Sequence, residues 1–169
     1  MRRTLVQDKV RLTNRLTAAL KNYYPQALDL FEDKDTLIFC DFLEKWPTLQ
    51  NARKARRDVL ERFLMDHNSH YDSINLKRID TIKNATTLTD DPAIVLPYRL
   101  LVEALIVQLK ATLLSISAFE EKIESLFDHH PDAKLFKSLP GAASIFAPRL
   151  LAAFGEDRDR YQSADDLWS

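Results

Sequence analysis

The stretch Leu139-Pro140-Gly141-Ala142-Ala143-Ser144 holds the residue types and spacing best suited to meeting a ligand. Proline and glycine turn the chain ahead of an apolar run, Ile145–Phe154, that reads as a helix closed by Gly155. A tight turn between two helices directs free backbone N–H groups and the positive end of a helix outward, where a phosphate oxygen can be held. Glycine suits the point where the backbone needs positive φ and where a phosphate comes close. The same residues also fit a plain helix–helix turn with no ligand.

The pattern resembles a helix-hairpin-helix module, which grips nucleic-acid backbone without reading bases. It departs from that module at Ala143, where a second glycine is common. A second basic feature lies at the start of the chain. Residues 1–21 carry six basic side chains, Arg11 and Arg15 among them, against the single acid Asp8. Such a face can follow a phosphate backbone, each contact adding salt dependence; it can equally be the solvated side of a coiled coil. Arg53, Lys54, Arg56, Arg57 and Arg62 form another basic stretch with the same two readings.

Other chemistry finds little support. His67 and His70 share a loop and His129 and His130 are adjacent, but neither pair has helical ligand spacing, so no metal site is expected. Asp90-Asp91, Glu120-Glu121 and Asp165-Asp166 stand where helix caps and solvated faces would put them. No phosphate-binding glycine loop, nucleophile elbow or zinc-protease motif occurs. No catalytic residue is expected.

The elements that must position the hairpin are helical. Of 169 residues, 46% are apolar and 29% charged, and only two are glycine, too few for the tight turns of a sheet protein. A chain this long buries about 68–70% of its unfolded surface and needs no staples. The lone Cys40 suits a reducing compartment, and the opening Met-Arg-Arg precedes no apolar leader, so a cytoplasmic protein is expected. The region Val102–Phe119 contains Glu103 and Lys110 and falls short of about 20 clean apolar residues, so no membrane span is expected.

Helices are predicted at 4–23, 27–31, 37–45 with Thr36 as cap, two short ones within 48–67, and 74–85. The long one is predicted at 92–128. There Val95, Tyr98, Val102, Leu105, Leu109, Thr112, Ile116, Phe119, Ile123 and Leu126 recur in alternating steps of three and four. Such a seam must bury itself against another long helix. Helix 4–23 is the expected first partner in an antiparallel coiled coil, with the remainder of the seam left for a second chain. Pro97 limits where regular hydrogen bonding starts. Ser163–Asp166 reads as the cap of one more helix.

Three stretches carry a family resemblance: His130–Gly141, Ala147–Tyr161 and Ser163–Trp168. They look like the DEDD-type insertion-sequence transposases, also called bridge-RNA-guided recombinases. Val10–Leu16, Leu37–Pro47 and Leu88–Ala93 resemble that family's middle region. The resemblance implies an RuvC-like nuclease domain, a coiled-coil region and a C-terminal transposase domain. The first would hold an acidic tetrad with a divalent metal such as Mg, and the last a serine nucleophile. This chain matches the coiled coil, residues 1–131, and the opening of the transposase domain, residues 132–169. On that reading the tetrad would precede Met1 and the serine would follow Ser169, as in a truncated element. The resemblance implies DNA and structured guide RNA as partners, self-association along the seam, and location at the nucleoid. It also implies phosphate contacts from Pro140–Ser144 with Lys137 and Arg149. The expected fold is all-α: a long antiparallel coiled coil, a small helical subdomain and a hairpin-like end, inactive alone. A plain dimerisation protein is the competing expectation.

Overall fold

The computed structural model describes residues 2–69 and 71–155. Among the described residues there are nine helices and no strand, as an all-α chain requires. In order they are α1 Arg2–Leu20, α2 Gln26–Leu30, α3 Leu37–Lys45, α4 Leu49–Lys54, α5 Arg57–Asp66, α6 Asp72–Asn84, α7 Pro92–Asp128, α8 Ala133–Lys137 and α9 Ala143–Phe154. His70, Ser163–Asp166 and the other matched residues beyond Gly155 lie outside the described residues.

Local chemistry explains the boundaries. Asp91 opens α7 by accepting the Ala93 N–H at 2.9 Å on Oδ1, while the Thr89 hydroxyl accepts the Asp91 N–H at 3.2 Å. Pro92 then takes the first helical position, where its missing N–H costs nothing. Thr48 caps α4 by accepting the Asn51 N–H at 3.2 Å. Thr36 holds the corresponding place before α3 but does not cap it: its hydroxyl donates back to the Asp33 carbonyl at 3.2 Å. The local turn competes for the same oxygen and wins.

The chain divides into two compact units, Met1–Ile116 and Ser117 onward, and α7 contributes to both. The boundary expected from the sequence stands at 131/132. In the first unit one continuous core draws on α1 through α7. From α1 come Leu12, Leu16, Ala19 and Leu20; from α7 come Val102, Leu105, Ile106 and Leu109. The same core holds an aromatic cluster. Phe31 meets Phe42 edge-on at 5.3 Å, Phe42 meets Trp46 at 5.2 Å, and Trp46 meets Phe63 at 5.1 Å. Such tilted pairs are the arrangement aromatic quadrupoles favour. The first half of the α7 stripe is therefore buried in a many-helix core fed equally by short helices.

Around that core, polar groups fix the loops. Asn75 is buried; it gives its amide to the Ser69 carbonyl at 2.5 Å and accepts the Ser69 hydroxyl at 2.7 Å. Arg78 joins them through Nη1 on Ser69 Oγ at 3.0 Å and reaches α2 through Nε on the Leu30 carbonyl at 2.6 Å. Its guanidinium also lies 4.9 Å from the Phe31 ring centre. Burial draws the Arg78 pKa down.

The seam changes character along its length. Val95 and Tyr98 are half-buried and Val102, Leu105 and Leu109 fully buried, whereas Ile116 is half-buried and Phe119, Ile123 and Leu126 are exposed. By length and composition alone α7 is long and apolar enough to cross a membrane. Its buried stripe and the ion pairs of Lys110 are those of a core helix. In the second unit Phe127, Ala133, Phe136, Ala142 and Ala147 form a small core, with Phe136 and Phe154 edge-on at 5.8 Å.

Candidate nucleic-acid interface

The residues expected to form a hairpin, 139–144, lie at a turn between two helices. α8 ends at Lys137, the chain turns through Ser138–Ala142, and α9 begins at Ala143. Gly141 stands at φ +76, so the turn needs glycine for its backbone angle; a Cβ there would meet nothing within 4 Å. The Ala142 N–H closes the turn on the Leu139 carbonyl at 3.1 Å. Pro140 and Gly141 are exposed and Ala142 is buried. Ala143 and Ser144 form the first turn of α9.

The two flanking cations do not converge on that turn. Lys137 Nζ lies 2.7 Å from Asp128 Oδ1 and 5.7 Å from the Phe127 ring centre, which ties it to the end of α7. Arg149 projects from a later turn of α9, its guanidinium 5.6 Å from the Phe146 ring centre. Six residues at about 1.5 Å each put Arg149 about 9 Å along α9 from its start.

On α1, Arg11 and Arg15 are exposed, with Arg11 Nη1 3.3 Å from Asp8 Oδ1. Lys9 is engaged with Asp35 at 2.5 Å. In the second basic stretch Arg57 pairs with Asp80 and Arg56 with Asp58, the latter at 3.3 Å. Arg53, Lys54 and Arg62 stay exposed. Lys83 caps the end of α4, donating to the Arg53 carbonyl at 2.7 Å and to the Ala55 carbonyl.

The densest polar cluster was invisible in the sequence, because it joins α3, α5 and α7. Asp41 takes Lys110 Nζ at 2.7 Å on one oxygen and His67 Nε2 at 2.9 Å on the other. Lys110 also reaches Glu44 at 2.9 Å, and His67 Nδ1 lies 2.8 Å from the Phe63 carbonyl. Burial pushes the Asp41 carboxyl upward, but the hydrogen bonds and charges of Lys110 and His67 outweigh it and hold it below the usual carboxylate range. The hydrogen bonds that Lys110 donates to Asp41 and Glu44 raise its pKa. Cys40, fully buried beside them, is pushed up to about 12, first by burial and then by the Asp41 charge. The periodicity around 41, 67 and 110 carried no hint of this meeting.

The three described histidines are held by neighbouring groups. Besides His67, His129 Nδ1 lies 2.6 Å from the Ser125 carbonyl and His130 Nδ1 accepts the Asp132 N–H at 3.2 Å. Among the described residues no three His, Cys, Asp or Glu side chains gather as a metal ion would require.

Comparison with known proteins gives one clear likeness. The chain is 28% identical, over 97% of its length, to the "Mini-circle putative transposase for IS117" of Streptomyces coelicolor. It spans 41% of that relative's length. No family model matches the chain, and no solved structure matches it. The likeness supports an insertion-sequence transposase family.

Proposed function

We propose that this chain is the helical scaffold segment of an insertion-sequence transposase, which contacts nucleic acid and pairs with a second copy. The similarity to the IS117 protein along nearly the whole chain carries the reading. Resemblance of His130–Gly141 and Ala147–Tyr161 to the DEDD-type, RNA-guided recombinases supports the finer version, in which DNA and a structured guide RNA are the partners. The protein would act in the cytoplasm, at the nucleoid.

Nucleic-acid contact would be sequence-tolerant. Exposed Pro140 and Gly141 with the start of α9 form one contact, Arg149 a separate one further along, and Arg11 and Arg15 a third on α1. Lys137 would have to leave Asp128 to take part. The chain would perform no cleavage or strand transfer alone, because the resemblance assigns neither the acidic tetrad nor the serine nucleophile to its residues.

A salt titration of binding to duplex DNA and to structured RNA tests the reading. The expected result is a steep, sequence-tolerant loss of affinity, with the slope of log affinity against log salt falling by roughly one for each phosphate-contacting arginine removed. Absence of binding at low salt would leave a scaffold that only self-associates. Metal-dependent strand transfer by the purified chain would refute the inactive reading.

A further inference from the structure

Helices α5 and α6 run antiparallel: a short link joins them, and Arg57 at the start of α5 pairs with Asp80 near the end of α6. Counting four residues at a time along both helices from that ion pair leads to Glu61 and Leu76, then to Met65 and Asp72. These four side chains line one groove of about 300 Å³, with Asn75 beside them. Met65 and Leu76 each keep 47% of their surface in water. Asn75 is buried and tied to the Ser69 carbonyl, which anchors the start of α6.

The layer of Arg57 and Asp80 satisfies its own charges. The next two do not, because each sets one acid with one aliphatic side chain, in opposite order on the two helices. Glu61 and Asp72 are exposed, and neither pairs with a described residue. Among the described residues the groove thus presents two unpaired carboxylates, two half-open aliphatic side chains and no cation.

We infer that this groove docks a basic amphipathic helix of another protein, with two large aliphatic residues a turn apart between flanking lysines or arginines. A groove between antiparallel helices is a shape into which a third helix packs. Met65 and Leu76 supply apolar area, and methionine adapts to partners of varied shape. The carboxylates select cations, while the stems of lysine or arginine cover adjoining apolar surface. Nucleic acid and anionic lipid are repelled by the same two charges. The groove therefore has a different task from the phosphate contacts proposed on α1 and α9, and neither reading depends on the other.

Fluorescence anisotropy on the whole chain tests this, with a labelled helical peptide of leucine, alanine and lysine whose leucines recur every three or four residues. The peptide should bind, and Glu61→Gln/Asp72→Asn should weaken it roughly tenfold. Met65→Ala should weaken it roughly fivefold, a loss that charge alone does not produce. Glu124→Gln, at an exposed acid of the second unit, should change nothing. Leu76→Lys, with a cation of its own in the groove, should abolish binding and serves should the double variant fail to fold. A peptide that does not bind at low salt would overturn the inference. So would equal losses in Glu124→Gln and the groove variants, which would mean unspecific attraction. An alanine-for-leucine peptide that binds as tightly, or spermidine that displaces the peptide at equal concentration, would mean a simple cation trap and overturn the helix. Duplex DNA held more weakly by the double variant would also overturn it, since removing acids favours DNA.

Discussion

Lys110 of α7 sits 2.7 Å from Asp41 of α3, and His67 at the end of α5 holds the other oxygen of the same carboxylate. Three helices far apart in the chain are thus pinned at one point on the edge of the core.

This pin should make stability pH-dependent in two directions. The folded Asp41 carboxyl lies below its ordinary range, so its contribution is present above that range and fades as pH falls through the lowered value. Folded Lys110 lies above its ordinary 10.5, so its contribution is complete below 10.5 and fades as pH rises through the raised value. Urea unfolding across pH should show a plateau that weakens at both ends. Lys110→Met should cost about 1 kcal/mol on the plateau and flatten the alkaline limb. An unchanged alkaline limb in that variant would exclude the pin as its source.

Removing the buried amide at Asn75 should be felt more strongly. Asn75→Ala leaves the Ser69 carbonyl without the amide donor, leaves the Ser69 hydroxyl only its contact with Arg78, and removes one contact of Arg78. A loss of about 1–3 kcal/mol is expected from the midpoint and slope of denaturant unfolding. A variant as stable as the parent would mean that water replaces the amide freely.

The two halves of the seam should respond differently to the same truncation. Leu105→Ala, in the core at 1% exposure, should cost about 2–5 kcal/mol. Leu126→Ala, at 63% exposure, should stay within about 0.5 kcal/mol. Thermal unfolding of both variants checks the contrast, and equal losses would contradict the division of α7 between buried and exposed stretches.

In the second unit, Gly141→Ala should cost about 1–2 kcal/mol through its positive φ alone, since nothing crowds the added methyl. Gly141→Asn should cost less, because asparagine tolerates that region. Amide hydrogen exchange in α8 and α9 would report the loss locally. Equal protection in the Gly141→Ala variant would show that the turn relaxes to another shape.

Much of the fold was legible because helices announce themselves locally. The Asp-Asp-Pro start and the three-four stepping placed α7 at Pro92–Asp128, and Pro25 and Trp46-Pro47 stopped their helices close to where they end. Periodicity reports which residues share a face, however, and not what covers it. The seam read as one continuous interface; its first half lies in the core that Leu16, Leu20 and the short helices share, while Phe119, Ile123 and Leu126 are exposed. The hairpin was readable from Pro140-Gly141, but the diversion of Lys137 to Asp128 depends on how α8 packs near the end of α7. The Asp41, His67 and Lys110 meeting depends on three helices at once, and single-helix patterns carry no such information.

Cys40 offers a practical dividend. Its sulfur is sealed in the core and resists ionisation, so alkylating reagents can reach it only when α3 swings away from its neighbours. The rate of that modification is an intrinsic stopwatch for breathing of the first unit, readable by mass spectrometry without any introduced label.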